Sequence, residues 1–293
     1  MPASNSLKAA DKQKITKKLV TELKKRYKGS VPKQNRSIFE TLLFSACLED
    51  SSYKQAEAAY ARLLENFFDL NEVRVSSVKE IEQVLGEIND PDWKALRVRE
   101  VLQYVFETYY AFDLDQLKRK TQDAANKELM SINHLSTFMR DYTVQHGLGA
   151  HVLPVDETMS KALKWMCLAD LGETPEQAAD AIKAGLKKSE GPLFCHLLKC
   201  AATDPALQPG FDEFEEVTEE DPLHASKRLA ELVKKPVKKK VPKKATAKVS
   251  KKKPAKKTSS RTKTAKKNTT TKKKTVKKKV AVKKKTSKKK KTK

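Results

Sequence analysis

From Lys234 to Lys293 the chain carries 31 Lys or Arg and no Asp or Glu. A segment of that composition cannot bury enough apolar surface to offset the entropy lost on ordering it, so it is expected to stay disordered in water. Any core must come from the first 233 residues, which hold 31 basic and 37 acidic side chains, a net charge of −6. The chain reads as a slightly acidic globular part joined to a polycation. Such a tail condenses on a polyanion by releasing that polymer's counterions, which makes DNA, contacted largely without regard to sequence, the first partner to expect. RNA stays open, because polylysine does not distinguish the two polymers. Triplets at Lys238, Lys239 and Lys240, at Lys251, Lys252 and Lys253, and at Lys272, Lys273 and Lys274 are the expected phosphate contacts. Prolines at 236, 242 and 254 stop one long helix from running through the tail. The tail has no aromatic residue, so base stacking is not expected of it.

An anionic membrane surface would attract the same charge. Nothing lipid-directed accompanies it: there is no terminal Cys for prenylation, no amphipathic aromatic face, and no run near the roughly 18 apolar residues of a membrane span. No membrane partner is expected. The N-terminus MPASNSLKAADKQK lacks the apolar stretch of a secretory signal. The expected location is therefore intracellular: cytoplasmic on the nucleoid in a bacterium, nuclear in a eukaryote. Cys47, Cys167, Cys195 and Cys200 are expected to be reduced thiols. A monomer is expected.

Positions 12 to 205 read almost wholly as helices, because apolar residues recur at three- and four-residue spacing and strand-type alternation is scarce. Ser37 with Glu40, Ser52 with Gln55 and Ser77 with Glu80 fit the capping box, in which each side chain satisfies an orphan amide of the first turn. Thr174-Pro175-Glu176-Gln177 adds a proline at the first helical position, and Asp90-Pro91 has the same form. Apolar stripes follow at Ile15, Leu19, Leu23; at Ile38, Leu42, Ala46; at Val98, Leu102, Val105; at Ala178, Ile182, Leu186; and at Phe194, Leu197, Leu198. These are the expected core faces. The organisation is then a flexible 1–11, a helical domain 12–205, a linker 206–233 with a short helix at its end, and the tail 234–293. Seven carboxylates crowd positions 212 to 221 of that linker. They read as a solvated run, with shielding of the tail as the alternative.

Three segments, in order, resemble a known enzyme family. Lys18-Leu19-Val20-Thr21-Glu22-Leu23, followed by Phe39-Glu40-Thr41-Leu42-Leu43-Phe44-Ser45-Ala46-Cys47-Leu48-Glu49-Asp50, is similar to the opening of endonuclease III. Trp93-Lys94-Ala95-Leu96-Arg97-Val98-Arg99-Glu100-Val101-Leu102 resembles that family's helix beginning near a Lys-Ala pair. Leu153-Pro154-Val155-Asp156-Glu157-Thr158 resembles its V-D-T-H element. The resemblance spans about 12–205 and is to a divergent member of the helix-hairpin-helix DNA glycosylase superfamily. It implies an all-α, two-lobed helical DNA-glycosylase-like fold, followed here by a disordered basic tail whose composition is similar to that of linker-histone C-terminal tails.

The resemblance also implies roles. Asp156 would be the carboxylate that stabilises the cationic sugar as a base leaves, and a helix N-terminus favours its anion. The same position makes it a good N-cap, which Asn would replace with little effect on folding. Ile132-Asn133-His134-Leu135-Ser136 falls on the family's DNA-gripping hairpin, with both glycines missing. His134, Ser136, Thr137 and Arg140 are the side chains that could replace the lost amide contacts to DNA. Phe138 occupies the position of the Schiff-base lysine, and no Lys lies between Glu128 and Ser160, so lyase chemistry through that position is excluded. Cys47 stands at the base-displacing glutamine. Only Cys195 and Cys200 occur where the family's cluster-bearing members have four cysteines, and His196 with Cys200 makes an incomplete ligand set, so no metal or cofactor is expected. The expected function is DNA binding with base excision lost or reduced. The alternatives are a monofunctional DNA glycosylase using Asp156, without Schiff-base lyase activity, and an RNA-binding or ribosome-associated factor.

Overall fold

The computed structural model describes residues 9–27, 30–32, 35–212 and 224–234. Among these the regular structure is helical, with no strand. In chain order the helices are α1 (Ala9–Tyr27), α2 (Ile38–Leu48), α3 (Tyr53–Asn66), α4 (Leu70–Val75), α5 (Val78–Leu85) and α6 (Pro91–Tyr109). A 3₁₀ turn (Asp115–Arg119) leads to α7 (Gln122–Leu129), α8 (Thr137–Leu148), α9 (Glu157–Trp165), α10 (Pro175–Lys183), α11 (Gly191–Ala202), α12 (Gln208–Asp212) and α13 (Ala225–Lys234).

The helix starts follow local chemistry. Ser37, Ser52, Ser77 and Thr174 each close a complete capping box. Asp90 does not cap. It sits in the left-handed region at φ 48° and its side chain bonds no helical amide. A residue before proline is disfavoured in the right-handed helical region, and at this start the fixed φ of Pro91 sets the helix. All five apolar stripes are buried.

The principal helix packing falls into two sets. One lobe pairs α2 with α3, α6 and α8, then α3 with α5, α4 and α5 with α6, and α7 with α8. The other pairs α1 with α11 and α13, and α9 with α10, α11 and α12. Among the described residues the first helix therefore belongs to the lobe formed by the last ones. Arg26 and Tyr27 fix that arrangement by binding the Asp204 carboxylate at 2.7 and 2.8 Å.

The stretch read as a linker contributes two helices to the second lobe. Phe211 of α12 is buried edge-on against Trp165, with ring centroids 5.3 Å apart. Ala225 and Leu229 of α13 are buried, and Arg228 donates to the Trp165 carbonyl at 2.9 Å. The acidic positions 213–223, residues 1–8 and 235–293 of the tail lie outside the described residues.

Candidate active site

Asp156 is the N-cap of α9. Its Oδ1 accepts the Met159 amide at 3.0 Å and the Thr158 hydroxyl at 2.9 Å. Its Oδ2 accepts the Asp50 amide at 2.9 Å and the ammonium of Lys199, which reaches across from α11. A carboxylate has about four acceptor sites, and all are taken. The Asp156 side chain is 1% exposed and that of Lys199 2%. Burial alone would push the Asp156 carboxyl up; the Lys199 ammonium, with the Met159 and Asp50 amides, holds it below the usual carboxylate range. The Lys199 Nζ also lies 5.3 Å from the centroid of the Phe138 ring, so the lysine is enclosed by a carboxylate and an aromatic face.

The turn after α2 completes a latch between the lobes. Asp50 gives its amide to Asp156 while its own carboxylate accepts the Thr158 amide at 2.9 Å. This reciprocal pair holds Asp50 at φ 49°, in the left-handed region. Burial, then the adjacent Asp156 charge, pushes the Asp50 carboxyl up. Beside it Glu49 pairs with Arg97, whose Nε donates to the His134 carbonyl at 3.2 Å. Lys94 is 2% exposed and donates to the neutral Ser51 hydroxyl at 2.7 Å. Burial, with the Lys199 charge nearby, lowers its amine from 10.5 to about 8.

A cavity of about 380 Å³ opens over this cluster, between the lobes. Its charged lining is Glu49, Asp50, Asp90, Asp156 and Glu157 against Lys94 and Arg97. Carboxylates outnumber cations there, which is the wrong sign for holding a phosphate. Within the lining, Glu49, Asp50 and Asp156 are balanced by Arg97, Lys94 and, from behind it, Lys199. The cluster neutralises itself from within the chain.

The residues singled out on the hairpin go to different places. His134 lies in the loop between α7 and α8 at φ 59°, exposed, in a backbone region that glycine enters at little cost. Arg97 holds the carbonyl of this left-handed residue. The His134 ring faces the half-exposed Trp93, which lines the cavity, with centroids 6.0 Å apart. Ser136 N-caps α8 by accepting the Met139 amide at 3.1 Å. Thr137 is exposed and lines the cavity. Arg140 turns away: it binds Asp141 at 2.7 Å and Glu176 of α10 at 2.8 Å, with 14% of its side chain exposed. That guanidinium clasps the two lobes. The tail lysines Lys238 to Lys240, Lys251 to Lys253 and Lys272 to Lys274 lie outside the described residues.

Phe138 is buried and stacks on Tyr142 at 5.8 Å. Cys47 is fully buried, its thiol pushed up to about 12 by burial, so it has no access to a DNA stack. The Cys200 Sγ lies 3.8 Å from His196 Nε2, while Cys195 is buried. Among the described residues no three His, Cys, Asp or Glu side chains gather where they could hold a metal ion.

No protein-family model matches the chain, and no curated protein does. Solved structures do match. A trapped endonuclease III–DNA covalent intermediate, an estranged-adenine complex, superposes with a TM-score of 0.51 at 16% identity, over 64% of this chain and 84% of that one. A non-covalent endonuclease III–DNA complex gives 0.50 at 17% identity over the same shares. The chain has the endonuclease III fold.

Within that endonuclease III fold, two lysines escape the reading of the sequence. Lys199 sits between Cys195 and Ala202 on a buried helix face, and Lys94 precedes Val98 and Val101 on another. A lysine in register with an apolar stripe is the available signal: it marks a cation that must be buried and therefore needs a partner. The partner itself is not legible, because Lys199 and Asp156 are 43 residues apart.

Proposed function

We propose that this protein binds DNA without regard to sequence, on an endonuclease III fold that has given up base excision. The observation that carries the reading is the state of Asp156: buried, saturated with four donors and neutralised by Lys199. A carboxylate stabilises a cationic sugar by presenting uncompensated charge to it, and here that charge is already compensated by an internal ammonium. Phe138 supplies no amine, and the Lys199 amine is engaged by the carboxylate. Support for DNA as the partner comes from the tail's 31 positive charges and from the fold, whose solved examples include DNA complexes. Its place in the cell would be on the nucleoid or in the nucleus.

One observation favours a second reading, a monofunctional glycosylase: Asp156 still contributes to the lining of the inter-lobe cavity. Base release by the full-length protein from a panel of alkylated, oxidised and deaminated duplexes separates the two. The expected result is tight duplex binding and no released base. Turnover on any substrate, lost in a folded Asp156→Asn protein, would overturn the proposal.

A further inference from the structure

The sequence singles out α1 for its apolar stripe, but its opposite face is as strongly patterned. At about 100° per residue, Lys14, Lys17, Lys18, Thr21, Lys24 and Lys25 fall within an arc of about 120°, and all six are exposed. No carboxylate lies inside that arc. Asp11 and Glu22 run along one border, where they reach Lys14 at 3.3 Å and Lys25 at 2.8 Å. Exposed pairs of this kind are worth little and are readily exchanged for a stronger anion.

The bland account of exposed lysines is a solvated helix face. It explains Lys24 and Lys25, whose charge complements the C-terminal end of the helix dipole. It does not explain Lys14, Lys17 and Lys18, which lie mid-helix, repel one another at three- and four-residue spacing, and gain nothing from the dipole. Nor does it fit the sign, since the first 233 residues are net acidic. The face is also rigidly mounted. Ile15, Leu19 and Leu23 are buried beneath it, and Lys12 donates to the Ala181 carbonyl at 2.6 Å. Finally, α13 packs against α1, and its last residue, Lys234, opens the polycationic sequence.

We propose that the lysine face of α1 is a binding track for the phosphate backbone of duplex DNA, separate from the inter-lobe cavity. It deepens the DNA-binding reading and rests on it. The folded body then contacts DNA through a fixed row of cations on the helix against which α13 packs, while the acidic cavity stays off the backbone. With no donor set shaped to a base edge, the contact is indifferent to sequence.

Lysine acylation footprinting of the full-length chain, read by mass spectrometry with and without a short duplex of arbitrary sequence, tests this residue by residue. Lys14, Lys17, Lys18, Lys24 and Lys25 should be protected several-fold, while exposed Lys54 and Lys79 on the other lobe should not. Replacing the five by Gln should reduce the magnitude of the slope of log K against log salt by about 4 to 5. Protection of tail lysines with none on α1 would overturn the track and leave the DNA reading standing. Protection of neither would end both. Protection of α1 by phosphatidylserine vesicles or by single-stranded RNA, and not by the duplex, would overturn the track in favour of those partners.

Discussion

Asp156 shows how one side chain can change its meaning with a single neighbour. As an N-cap alone it would tolerate Asn, which caps about as well. With Lys199 against it the same change leaves a buried ammonium without its counter-charge, and breaking a buried pair from one side costs about 3–5 kcal/mol. Urea unfolding should therefore show Asp156→Asn and Lys199→Met each strongly destabilised, with the double substitution much milder than their sum. Additive losses would mean that the pair is not coupled. Lys94 gives a pH signature. Its amine titrates near 8 in the folded chain instead of 10.5, so between those values the unfolded chain holds a proton that the folded one lacks. The Lys94 contribution to stability must rise with pH across that window. Measured at pH 7, 8, 9 and 10, the unfolding free energy of the parent minus that of Lys94→Met should shift in the parent's favour above pH 8, because the buried thiols, whose raised values act in the opposite sense above pH 9, are common to both proteins.

At the scale of elements, the latch and the docked helix α13 act on different parts of the molecule. The turn after α2 and the start of α9 exchange amides and carboxylates through Asp50, Thr158 and Asp156, and Arg140 of α8 repeats the connection to Glu176 of α10. Neither depends on α13. That helix is held by Leu229, fully buried, by Leu232 close against Gly210, and by Arg228 on the Trp165 carbonyl. Leu229→Ala removes a buried side chain at a site worth about 2–5 kcal/mol. Hydrogen exchange should then speed up across α13 and the facing surface of α1 while the latch residues stay protected. Equal acceleration at Asp50 and Thr158 would show that the second lobe unfolds as one unit with the latch.

For the whole molecule the governing contrast is electrostatic. The first 233 residues are net −6, and the tail adds 31 positive charges. Most of the nonspecific affinity should therefore belong to the tail and little of the discrimination. Deleting residues 235–293 leaves α13 intact and should weaken duplex binding by orders of magnitude in low salt, with a much flatter dependence of log K on log salt. An unchanged salt slope would assign the affinity to the folded body instead. The shallow residual slope expected of the shortened protein is the contribution of α1.

Local rules in the sequence determined the helices. Ser37, Ser52, Ser77 and Thr174 mark their starts because a capping side chain and its partner three residues on are chain neighbours, and the stripes through Leu19, Leu42 and Leu102 mark their inner faces because helical period is a property of the chain itself. The order of the Asp156, Trp93-Lys94 and Glu49-Asp50 segments carried the fold, since the endonuclease III arrangement brings them to one cavity. What lies around Asp156 belonged to the tertiary structure. Lys199 reaches it from a helix whose sequence reads as core, Asp50 reaches it through a backbone amide that no side-chain motif encodes, and Arg140 spends its charge on Glu176 rather than on solvent. Sequence separates these groups by tens of residues, and only the docking of two lobes decides which charges meet, how dry they are and whether any is left for a ligand.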